Sequence, residues 1–453
     1  MLFHKYIVLG SGKTGLETVI QLAQKGHDVL LVEENDIGGS YLFSNDLPKE
    51  FIGKQANSIH TLRKRLPMEI QKSLTIDIEK IVSSRIKNRY QKIQNQLKKY
   101  PNLNIIQGHA SFGAGNIIEV VKNEERVLVA FEQCIVCVGL GQMEIPNITG
   151  LNKTPFKYQH SAFYGDNVPG SLCIIGCHQS NLEVADIYSS LGVRVTIFEQ
   201  KPPEEILENH DTTTINYLLQ NLLRKGVEFF FEAKVTKVEE KDKNVAVTDH
   251  ENTVYNFSTL YINVKEYFKD SLKLTNIGLK FSHNGIYTSS AGLTNQKSIY
   301  AFGACSSSFG INSTVSQIMQ YVERQEPPKT NNDVDLSRTV TVVENSSKKL
   351  ADLANLNFWH SKINLEKPVC TVGLSFKEAI GKHGSYSKFV ILLNDDIEGF
   401  VKLIYNDQNN ELLGFAAVGE CCNQTYFLGI DAIDKKLSII ELKSLLVALN
   451  FNN

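Results

Sequence analysis

One arrangement of residues occurs twice in this chain and limits the folds open to it. Residues 5–34, KYIVLGSGKTGLETVIQLAQKGHDVLLVEE, and residues 171–200, SLCIIGCHQSNLEVADIYSSLGVRVTIFEQ, share it. Each reads as an apolar strand, a turn, a helix with apolar residues three and four positions apart, and a second strand ending at an acid. This is the repeating unit of dinucleotide-binding folds. The sequence therefore predicts an α/β protein with two Rossmann-like domains.

The first turn carries the full glycine pattern G-x-G-x-x-G at Gly10, Gly12 and Gly15. Gly10 makes the tight turn, Gly12 lets a pyrophosphate approach the backbone, and Gly15 lets the helix pack on the strand. Glu33, at the end of the next strand, is placed to accept ribose hydroxyls. This setting predicts a dinucleotide site, and a merely structural turn is the alternative.

The second turn departs from that pattern. Gly176 is followed by His178 at the position of the second glycine and by Asn181 at the position of the third. Their side chains occupy space that a pyrophosphate needs, and Asn181 is expected to disturb the packing of the helix on the strand. The sequence thus argues against NAD(P) binding at this turn and favours a nucleotide fold kept as a scaffold.

The charge and hydropathy of the chain limit the kinds of molecule that it is expected to bind. The 453 residues carry 47 Lys and Arg against 49 Asp and Glu, and both signs are spread along the chain. We therefore expect no nucleic acid and no membrane as a partner. No apolar run approaches the eighteen or so residues of a membrane span. Because a strand already begins at Tyr6, we read no targeting peptide and expect a soluble, cytoplasmic protein.

The eight cysteines lie mostly in apolar, strand-like runs, where a reduced thiol behaves as a small hydrophobic side chain. Cys134 and Cys137 read C-x-x-C, but their setting is that of a buried strand. Cys421 and Cys422 are adjacent, yet no histidine or further cysteine lies near them in sequence. We therefore predict neither a disulfide framework nor a metal site.

The order of these patterns predicts three domains and a linker. Residues 1–150 and 285–330 are assigned to the first Rossmann-like domain, and residues 151–284 to the second, which is inserted in the first. Residues 331–364 are polar and read as a linker. Residues 365–453 read as a meander of strands with two helices, which indicates an α+β domain.

This order, the glycine pair after the second strand, the return through IYAFG and the late GFVKLIYNDQNNELLGFAAVG resemble the FAD-dependent pyridine nucleotide-disulfide oxidoreductases. The likeness is to the lipoamide dehydrogenase, glutathione reductase and mercuric reductase branch, and it covers nearly the whole chain apart from the linker. It implies a homodimer formed through the C-terminal domain. The FAD site that it implies consists of Gly10, Gly12, Gly15, Glu33, Gly38, Gly39, Gly139 and Gly303.

The resemblance fails where the family carries out its thiol chemistry. In the family, two cysteines separated by four residues follow the glycine pair, and Pro-Ser-Lys comes next. Here Tyr41 and Asp46 stand at the cysteine positions and Glu50 at the lysine position. Because disulfide exchange needs a thiolate to attack sulfur, neither a phenol nor a carboxylate replaces the pair. We predict no catalytic residue in this segment.

Three further family positions are changed. The C-terminal general acid/base histidine aligns with Leu449 or Phe451. The aspartate that meets the ribityl hydroxyls of the flavin is replaced by Ala304, which removes a hydrogen bond worth about 1.5–3 kcal/mol. The Gly-Arg pair of the second nucleotide domain aligns with Val264 and Lys265. The changed positions are those that carry catalytic or cofactor-binding groups in the family, whereas the predicted strands and helices are retained.

Three functional hypotheses remain open. The first is a flavin-binding relative of the disulfide reductases without dithiol chemistry, with a binding or regulatory role. The second is an FAD-dependent oxidoreductase that passes electrons from NAD(P)H directly to a quinone, oxygen or a metal ion. In it, Glu183 would lie near the nicotinamide and Glu199 would meet a ribose, while His178 and Asn181 argue against it. The third is a purely structural dimer partner.

Overall fold

A computed structural model describes most of the chain. The described residues are 1–44, 46–67, 77–163, 168–207, 210–289, 292–307, 360–394 and 397–452. They belong to two compact units, which we call the first and the second unit. The first unit comprises residues 1–48, 83–145 and 264–355, and the second comprises residues 49–82, 146–263 and 356–453.

A seven-stranded mixed sheet forms the centre of the first unit. Its strands are β1 (Leu2–Leu9), β2 (Val29–Glu33), β3 (Leu103–Gln107), β4 (His109–Phe112), β5 (Ile117–Lys122), β6 (Glu125–Val136) and β18 (Ile299–Ala301). The order is β3-β2-β1-β6-β5-β4, and β18 also pairs with β6. Strands β1, β2, β3, β6 and β18 pair in parallel, whereas β4 and β5 are antiparallel.

Parallel central strands are buried on both faces, and their sequences show it. Ile7, Val8 and Leu9 are consecutive and almost fully buried in β1, as expected for a strand with structure on both sides. The helices that the structure describes between residues 13 and 97 include α1 (Lys13–Gln24), α2 (Gly39–Phe43), α3 (Asp46–Arg63) and α4 (Ile78–Leu97). Helix α1 buries one stripe, which includes Leu16, Val19 and Leu22.

The second unit contains a parallel sheet of the same kind. Its strands are β8 (Ser171–Ile175), β9 (Arg194–Phe198), β10 (Glu228–Phe230) and β14 (Thr259–Ile262), in the order β10-β9-β8-β14. Helix α5 (Gln179–Ser190) joins β8 to β9, and helix α6 (Thr212–Arg224) joins β9 to β10. A three-stranded antiparallel sheet accompanies it, formed by β11 (Val235–Lys241), β12 (Asn244–Asp249) and β13 (Val254–Phe257).

The C-terminal part of the second unit is a six-stranded antiparallel sheet with helices. Its strands are β19 (His360–Ile363), β20 (Val369–Gly373), β21 (Ser387–Asn394), β22 (Gly399–Asn406), β23 (Leu412–Gly419) and β24 (Phe451–Asn452). Their order is β19-β20-β23-β22-β21-β24. The helices are α7 (Phe376–His383), α8 (Cys421–Asp434) and α9 (Ile439–Val447). Capping boxes begin α7 at Ser375 and α9 at Ser438.

Two small antiparallel pairs complete the strands of the first unit. They are β7 (Gly141–Glu144) with β15 (Lys265–Phe268), and β16 (Phe281–Ser282) with β17 (Gly285–Ile286). Short 3-10 turns occur at Leu151–Lys153, Pro203–Glu205, Leu274–Ile277, Gly303–Cys305 and Gly384–Tyr386. None of the helices in the described ranges combines the length and the apolarity that a membrane crossing requires.

The predicted fold class is confirmed: two parallel Rossmann-like sheets and a C-terminal α+β part are present, and β18 returns to the first sheet after the second is complete. The compact units group the C-terminal sheet with the second parallel sheet, and the domain boundaries stay a prediction. Residues 331–359 of the expected linker lie outside the described ranges. Its last residues form β19, so the C-terminal sheet begins earlier than expected.

Candidate functional site

The loop between β1 and α1 contains two glycines that the chain itself requires. Gly10 has φ +92°, and a Cβ atom placed on it would lie 2.8 Å from the carbonyl oxygen of Cys137. A Cβ atom on Gly15 would lie 2.0 Å from the carbonyl oxygen of Gly10. Real Cβ atoms do not approach backbone this closely, so these glycines hold α1 against the sheet whether or not a ligand is bound.

Gly12 is different, because no contact among the described residues requires a glycine there. Its φ is −60° and its ψ is −175°, which any residue adopts, and a Cβ atom there would meet no atom of the described ranges within 4 Å. Helix α1 begins at this point with no side-chain cap and no acid in its first turn. Free backbone N–H groups at a helix N-terminus attract an anion. Open space and free donors at one point fit the pyrophosphate of a dinucleotide.

Glu33 holds this loop through its carboxylate. Its Oε2 accepts the backbone N–H of Ser11 at 2.7 Å and the Ser11 hydroxyl at 2.6 Å, and its Oε1 accepts the N–H of Asn35 at 3.0 Å. A carboxylate accepts about four hydrogen bonds, so one acceptor direction is left for a ribose hydroxyl. The fit to FAD is therefore retained, although the first role of Glu33 is to fix the loop.

The glycine pair lies against the loop. Gly38 (φ +123°) donates its N–H to the Ser11 hydroxyl at 2.9 Å. Gly39 (φ +53°) begins α2, and a Cβ atom on it would lie 3.5 Å from the Cα of Gly12. Both residues have backbone angles that favour glycine. The structure thus brings the predicted pair to the open side of the loop.

The last two predicted positions lie on the connections that follow β6 and β18. A Cβ atom on Gly303 (φ +76°) would lie 3.3 Å from the hydroxyl of Thr14, in the first turn of α1. In the part of the chain that the structure describes, no atom lies within 4 Å of a Cβ atom placed on Gly139. Gly303 therefore borders the same helix terminus as Gly12, and Gly139 leaves space open, as a cofactor-binding position would.

Ala304, next to Gly303, lacks the carboxylate that the resembled family has at this position. Ala304 lies in the Gly303–Cys305 turn. The Cys305 thiol lies 3.2 Å from the carbonyl oxygen of Phe302. The Ser306 hydroxyl lies 2.8 Å from the Thr288 hydroxyl. The two polar side chains that follow Ala304 are thus already bonded within the protein. Any compensation for the missing carboxylate has to come from elsewhere.

All eight cysteines are free and buried. Burial raises the pKa of Cys137 well above its usual range, with Cys305 and Cys134 as further causes. Burial likewise raises the pKa of Cys305 and of Cys421 to about 12. A thiol with such a pKa holds almost no thiolate near neutral pH and is a poor nucleophile. Among the described residues no group of three or more His, Cys, Asp or Glu is placed to hold a metal ion.

The segment around Tyr41 and Asp46, where the resembled family has its cysteine pair, is helical. Tyr41 is half-buried in α2, and Asp46 is the first residue of α3; Asn45 between them lies outside the described ranges. Further along α3, the Glu50 carboxylate forms an ion pair with the Lys54 ammonium, 2.6 Å apart, on the surface. These positions supply a phenol and two carboxylates where the resembled family has sulfur and an amine.

One functional-looking contact was not predicted. The ammonium of Lys49 on α3 lies 2.5 Å from Oε2 of Glu183 on α5, and Glu183 is almost fully buried. Glu50 stands at the family lysine position in the sequence, but the adjacent Lys49 makes the ion pair with Glu183. The helical phase of α3 was the signal that could have found it, because adjacent residues on a helix point about 100° apart.

The second glycine loop is filled by its own side chains. The His178 ring lies 3.4 Å from a Cβ atom built on Gly176, whose φ is +90°. Asn181 is fully buried, and its amide donates to the carbonyl oxygens of Ile175 at 2.9 Å and Gly176 at 2.8 Å. Asn181 therefore does not loosen the helix as expected, because its side chain bridges the helix to the loop.

Glu199, which follows β9, repeats the geometry of Glu33. Its Oε2 accepts the backbone N–H of Cys177 at 2.6 Å, and its Oε1 accepts the N–H of Lys201 at 2.9 Å. At the C-terminus, Phe451 is fully buried and pairs with Asn394, while Leu449 is partly exposed. Of the two positions that align with the family histidine, Phe451 thus lies in the C-terminal sheet and Leu449 lies between α9 and β24.

Comparison with known proteins agrees with this geometry. A family model described as pyridine nucleotide-disulphide oxidoreductase matches residues 4–326. The chain belongs to this family. Members of the pyridine nucleotide-disulphide oxidoreductase family are FAD-binding flavoproteins, and the loop of the first unit has the form such a cofactor needs.

Two relatives in this family are dihydrolipoyl dehydrogenases. The protein from Staphylococcus aureus is 25% identical over 428 residues, which cover 91% of this chain and 86% of the relative. The protein from Buchnera aphidicola subsp. Acyrthosiphon pisum is 25% identical over 484 residues, which cover 97% and 93%. The family resemblance therefore extends beyond the matched model into the C-terminal sheet.

A solved structure shows the same fold. It is the HOCl-induced flavoprotein disulfide reductase RclA from Escherichia coli, with a TM-score of 0.76 at 17% sequence identity. The alignment covers 96% of this chain and 94% of that chain. A Cu(II) complex of the same reductase gives a TM-score of 0.76 at 18% identity. At this identity the likeness supports the fold and carries no statement about activity.

Proposed function

We propose that this chain is a flavin-binding pseudoenzyme of the pyridine nucleotide-disulphide oxidoreductase family, with a binding or regulatory role and no dithiol chemistry. One contrast carries the proposal. Among the described residues the first loop keeps open space at Gly12, whereas all eight cysteines of the chain are buried as free thiols. A fold that keeps the cofactor cradle and has no accessible thiol binds flavin without exchanging disulfides.

FAD would be held by the backbone of the first loop and the residues around it. The free N–H groups at the start of α1 would bind the pyrophosphate, and the remaining acceptor of Glu33 would bind the ribose. When bound, FAD supplies a ring that accepts and donates electrons. Gly38, Gly39, Gly139 and Gly303 keep backbone close to that space without side chains that would fill it.

NAD(P) binding at the second loop is not part of the proposal. The His178 ring lies over Gly176, and the amide of Asn181 is bonded to the loop carbonyls. Both arrangements fill space that a pyrophosphate would need. Without a nicotinamide donor and without a thiolate, neither end of the disulfide reductase reaction is supported.

A second function is favoured by the Lys49–Glu183 ion pair. In this pair Glu183 is buried and Lys49 is partly exposed, and a buried carboxylate is costly to desolvate and is found often at functional sites. This observation supports the alternative in which FAD passes electrons from NAD(P)H directly to a quinone, oxygen or a metal ion. Anaerobic addition of NADH or NADPH separates the two proposals: bleaching of the flavin band supports the alternative, and an unchanged band supports the pseudoenzyme.

The C-terminal sheet supports a homodimer. Large apolar side chains are exposed along α9, with Ile440 62% and Val447 57% exposed, and on β21, with Leu393 55% exposed. Helix α9 leads into β24, which pairs with β21, so both sets lie at one edge of this sheet. Apolar exposure of this kind is typical of a subunit interface. We expect light scattering to give a dimer and Ile440→Lys with Val447→Lys to give a monomer.

The decisive experiment compares flavin content and disulfide reduction in the full chain. We expect a visible flavin band after purification and no reduction of lipoamide or glutathione disulfide with either nicotinamide donor. The variant Ala304→Asp is a matched probe of the anchor position, and we expect it to raise the affinity for FAD at least tenfold, since a charged hydrogen bond is worth about 1.5–3 kcal/mol. Reduction of either disulfide would refute the proposal. The cytoplasmic location stays a prediction.

A further inference from the structure

One face of α5 carries three polar side chains in register. Gln179, Glu183 and Asp186 are four and three residues apart, so they project from the same side of the helix. Glu183 and Asp186 are only 3% and 4% exposed. Acids at this depth are rare in proteins unless they are paired. The partners of these side chains therefore show what this face is for.

A short segment of the same compact unit covers this face. It is Ser361–Glu366, which we call the strap; its first three residues are the last three of β19, and it continues toward β20. At the first turn of α5, the amide of Gln179 donates to the carbonyl oxygen of Lys362 at 3.0 Å and accepts the hydroxyl of Ser361 at 3.0 Å. Both ends of the Gln179 side chain are thus bonded to the strap.

The two acids continue the contact along the helix. Oε1 of Glu183 accepts the backbone N–H of Asn364 at 2.9 Å, and Oδ2 of Asp186 accepts the backbone N–H of Glu366 at 2.8 Å. The spacing of two residues on the strap matches one turn of the helix. An extended segment lying along a helix gives this pattern, because two extended residues and one helical turn span similar lengths.

The other oxygen of each acid is bonded to a lysine. Oε2 of Glu183 receives the ammonium of Lys49 at 2.5 Å, and Oδ1 of Asp186 receives the ammonium of Lys225 at 2.5 Å. Lys225 also lies 2.8 Å from Oε2 of Glu366 in the strap. Each carboxylate therefore binds a lysine through one oxygen and the strap through the other.

The covered face begins in the first turn of the helix that follows the second glycine loop. In a Rossmann-like unit a dinucleotide lies across this helix terminus and the carboxyl ends of the strands. We propose that the strap is a built-in lid that keeps the nicotinamide end of a dinucleotide off α5, in addition to the obstruction by His178 in the loop. This inference rests on the proposed function, in which the second unit takes no NAD(P).

The test is NADH binding by three full-length variants, followed by the fluorescence of the reduced nicotinamide. His178→Gly opens the loop, Gln179→Ala with Ser361→Ala loosens the strap, and the triple variant does both. We expect the triple variant to bind NADH at least tenfold more tightly than His178→Gly alone. The control is Asn423→Ala, which removes the bond from the Lys362 ammonium on the strap, 2.7 Å long, without touching α5; combined with His178→Gly it should leave the affinity of the single variant unchanged.

Hydrogen exchange supplies a second readout that does not depend on affinity alone. In the triple variant, saturating NADH is expected to speed exchange of the Asn364 and Glu366 amides at least tenfold, because the ligand displaces the strap that those amides bond to α5. Melting curves identify a variant that has lost its fold, and Gln179→Ala alone then replaces the double change. Unchanged strap exchange in a folded variant that binds NADH would overturn the lid.

The outcomes separate the lid from the function it rests on. Tight NADH binding by the native chain would remove the basis of the proposed function, since nothing would then keep the second unit from its nucleotide. Tight binding by His178→Gly alone, with the strap amides still protected, would leave the proposed function standing and overturn only the lid. Equal affinities of the single and triple variants would also overturn the lid.

Discussion

The two glycine loops share one framework and differ in what fills it. In the first, the carboxylate of Glu33 accepts the backbone N–H of Ser11 at 2.7 Å; in the second, that of Glu199 accepts the N–H of Cys177 at 2.6 Å. The first loop then has open space at Gly12. The second has His178 at the equivalent position.

This difference separates residues that a fold needs from residues that a ligand needs. Both acids fix their loops, so an acid at the end of the second strand does not by itself indicate ribose binding. Gly10 and Gly15 are demanded by close backbone contacts in the chain. Of the three glycines of this loop, Gly12 has no such contact with the described residues, so its identity depends on a cofactor and not on the fold.

The largest effect is expected from Gly15→Ala. The added Cβ atom would lie 2.0 Å from the Gly10 carbonyl oxygen, so α1 has to move away from β1. We expect the free energy of unfolding to fall by about 3 kcal/mol, at the upper end of the cost of overpacking. Denaturant unfolding of the apoprotein measures it. Gly12→Ala in the same loop is the control, and equal losses in both variants would contradict the division between fold and ligand.

We expect lowering the pH to reduce the free energy of unfolding by a similar amount, and we expect this loss to arise in the second unit. His210 is 7% exposed and lies 3.0 Å from the Thr371 hydroxyl, and burial lowers its pKa to about 4. In the unfolded chain a histidine titrates near pH 6.5, so the unfolded state binds more protons between these values. The stability is full above about pH 6.5 and falls by roughly 3 kcal/mol as the pH drops through about 4.

Denaturant unfolding of the second unit at several pH values measures this loss, with His210→Gln as the comparison. The variant lacks the titrating ring, so its unfolding free energy should depend less on pH in that window. If the native chain and the variant showed the same pH dependence, the acid sensitivity would come from other groups. The second unit would then not be more sensitive to acid than the first.

Much of the fold follows from local pattern, and the exceptions have a common cause. The strands of both parallel sheets are consecutive apolar runs, and the glycine turns mark where each helix begins, so the sequence predicts these elements well. The burial of the cysteines follows from the same apolar runs. The Lys49–Glu183 pair and the strap on α5 were not predicted, because they join residues more than 130 positions apart. Such contacts depend on tertiary packing, which pattern in one sequence does not encode.

A smaller effect is expected from Asn181→Ala. The buried amide bonds two loop carbonyl oxygens, at 2.9 and 2.8 Å, and its removal leaves them without these donors. We expect a loss of about 1–3 kcal/mol in the free energy of unfolding. His178→Ala is the matched control, because that side chain is exposed, and its effect should stay within about 0.5 kcal/mol. A neutral Asn181→Ala would mean that the second loop does not depend on its own side chains.

The smallest effect on stability and the sharpest test of the comparison come from Gly12→Ser. Serine adopts the backbone angles of this position, caps a helix well, and would project into open space. We therefore expect the free energy of unfolding to change by only a few tenths of a kcal/mol. The same side chain would fill the space proposed for the pyrophosphate, so the affinity for FAD should fall at least tenfold, or by about 1.4 kcal/mol.

Flavin absorbance per protein and a melting curve on one preparation measure both quantities together. Loss of flavin with an unchanged melting temperature is the result that only a ligand-facing glycine gives, since a structural glycine would lower both. The His178→Gly variant completes the comparison: it restores the glycine in the second loop and should leave flavin content as it was. A Gly12→Ser protein that kept its flavin would place the phosphates elsewhere, and the open space at Gly12 would then distinguish nothing between the two loops.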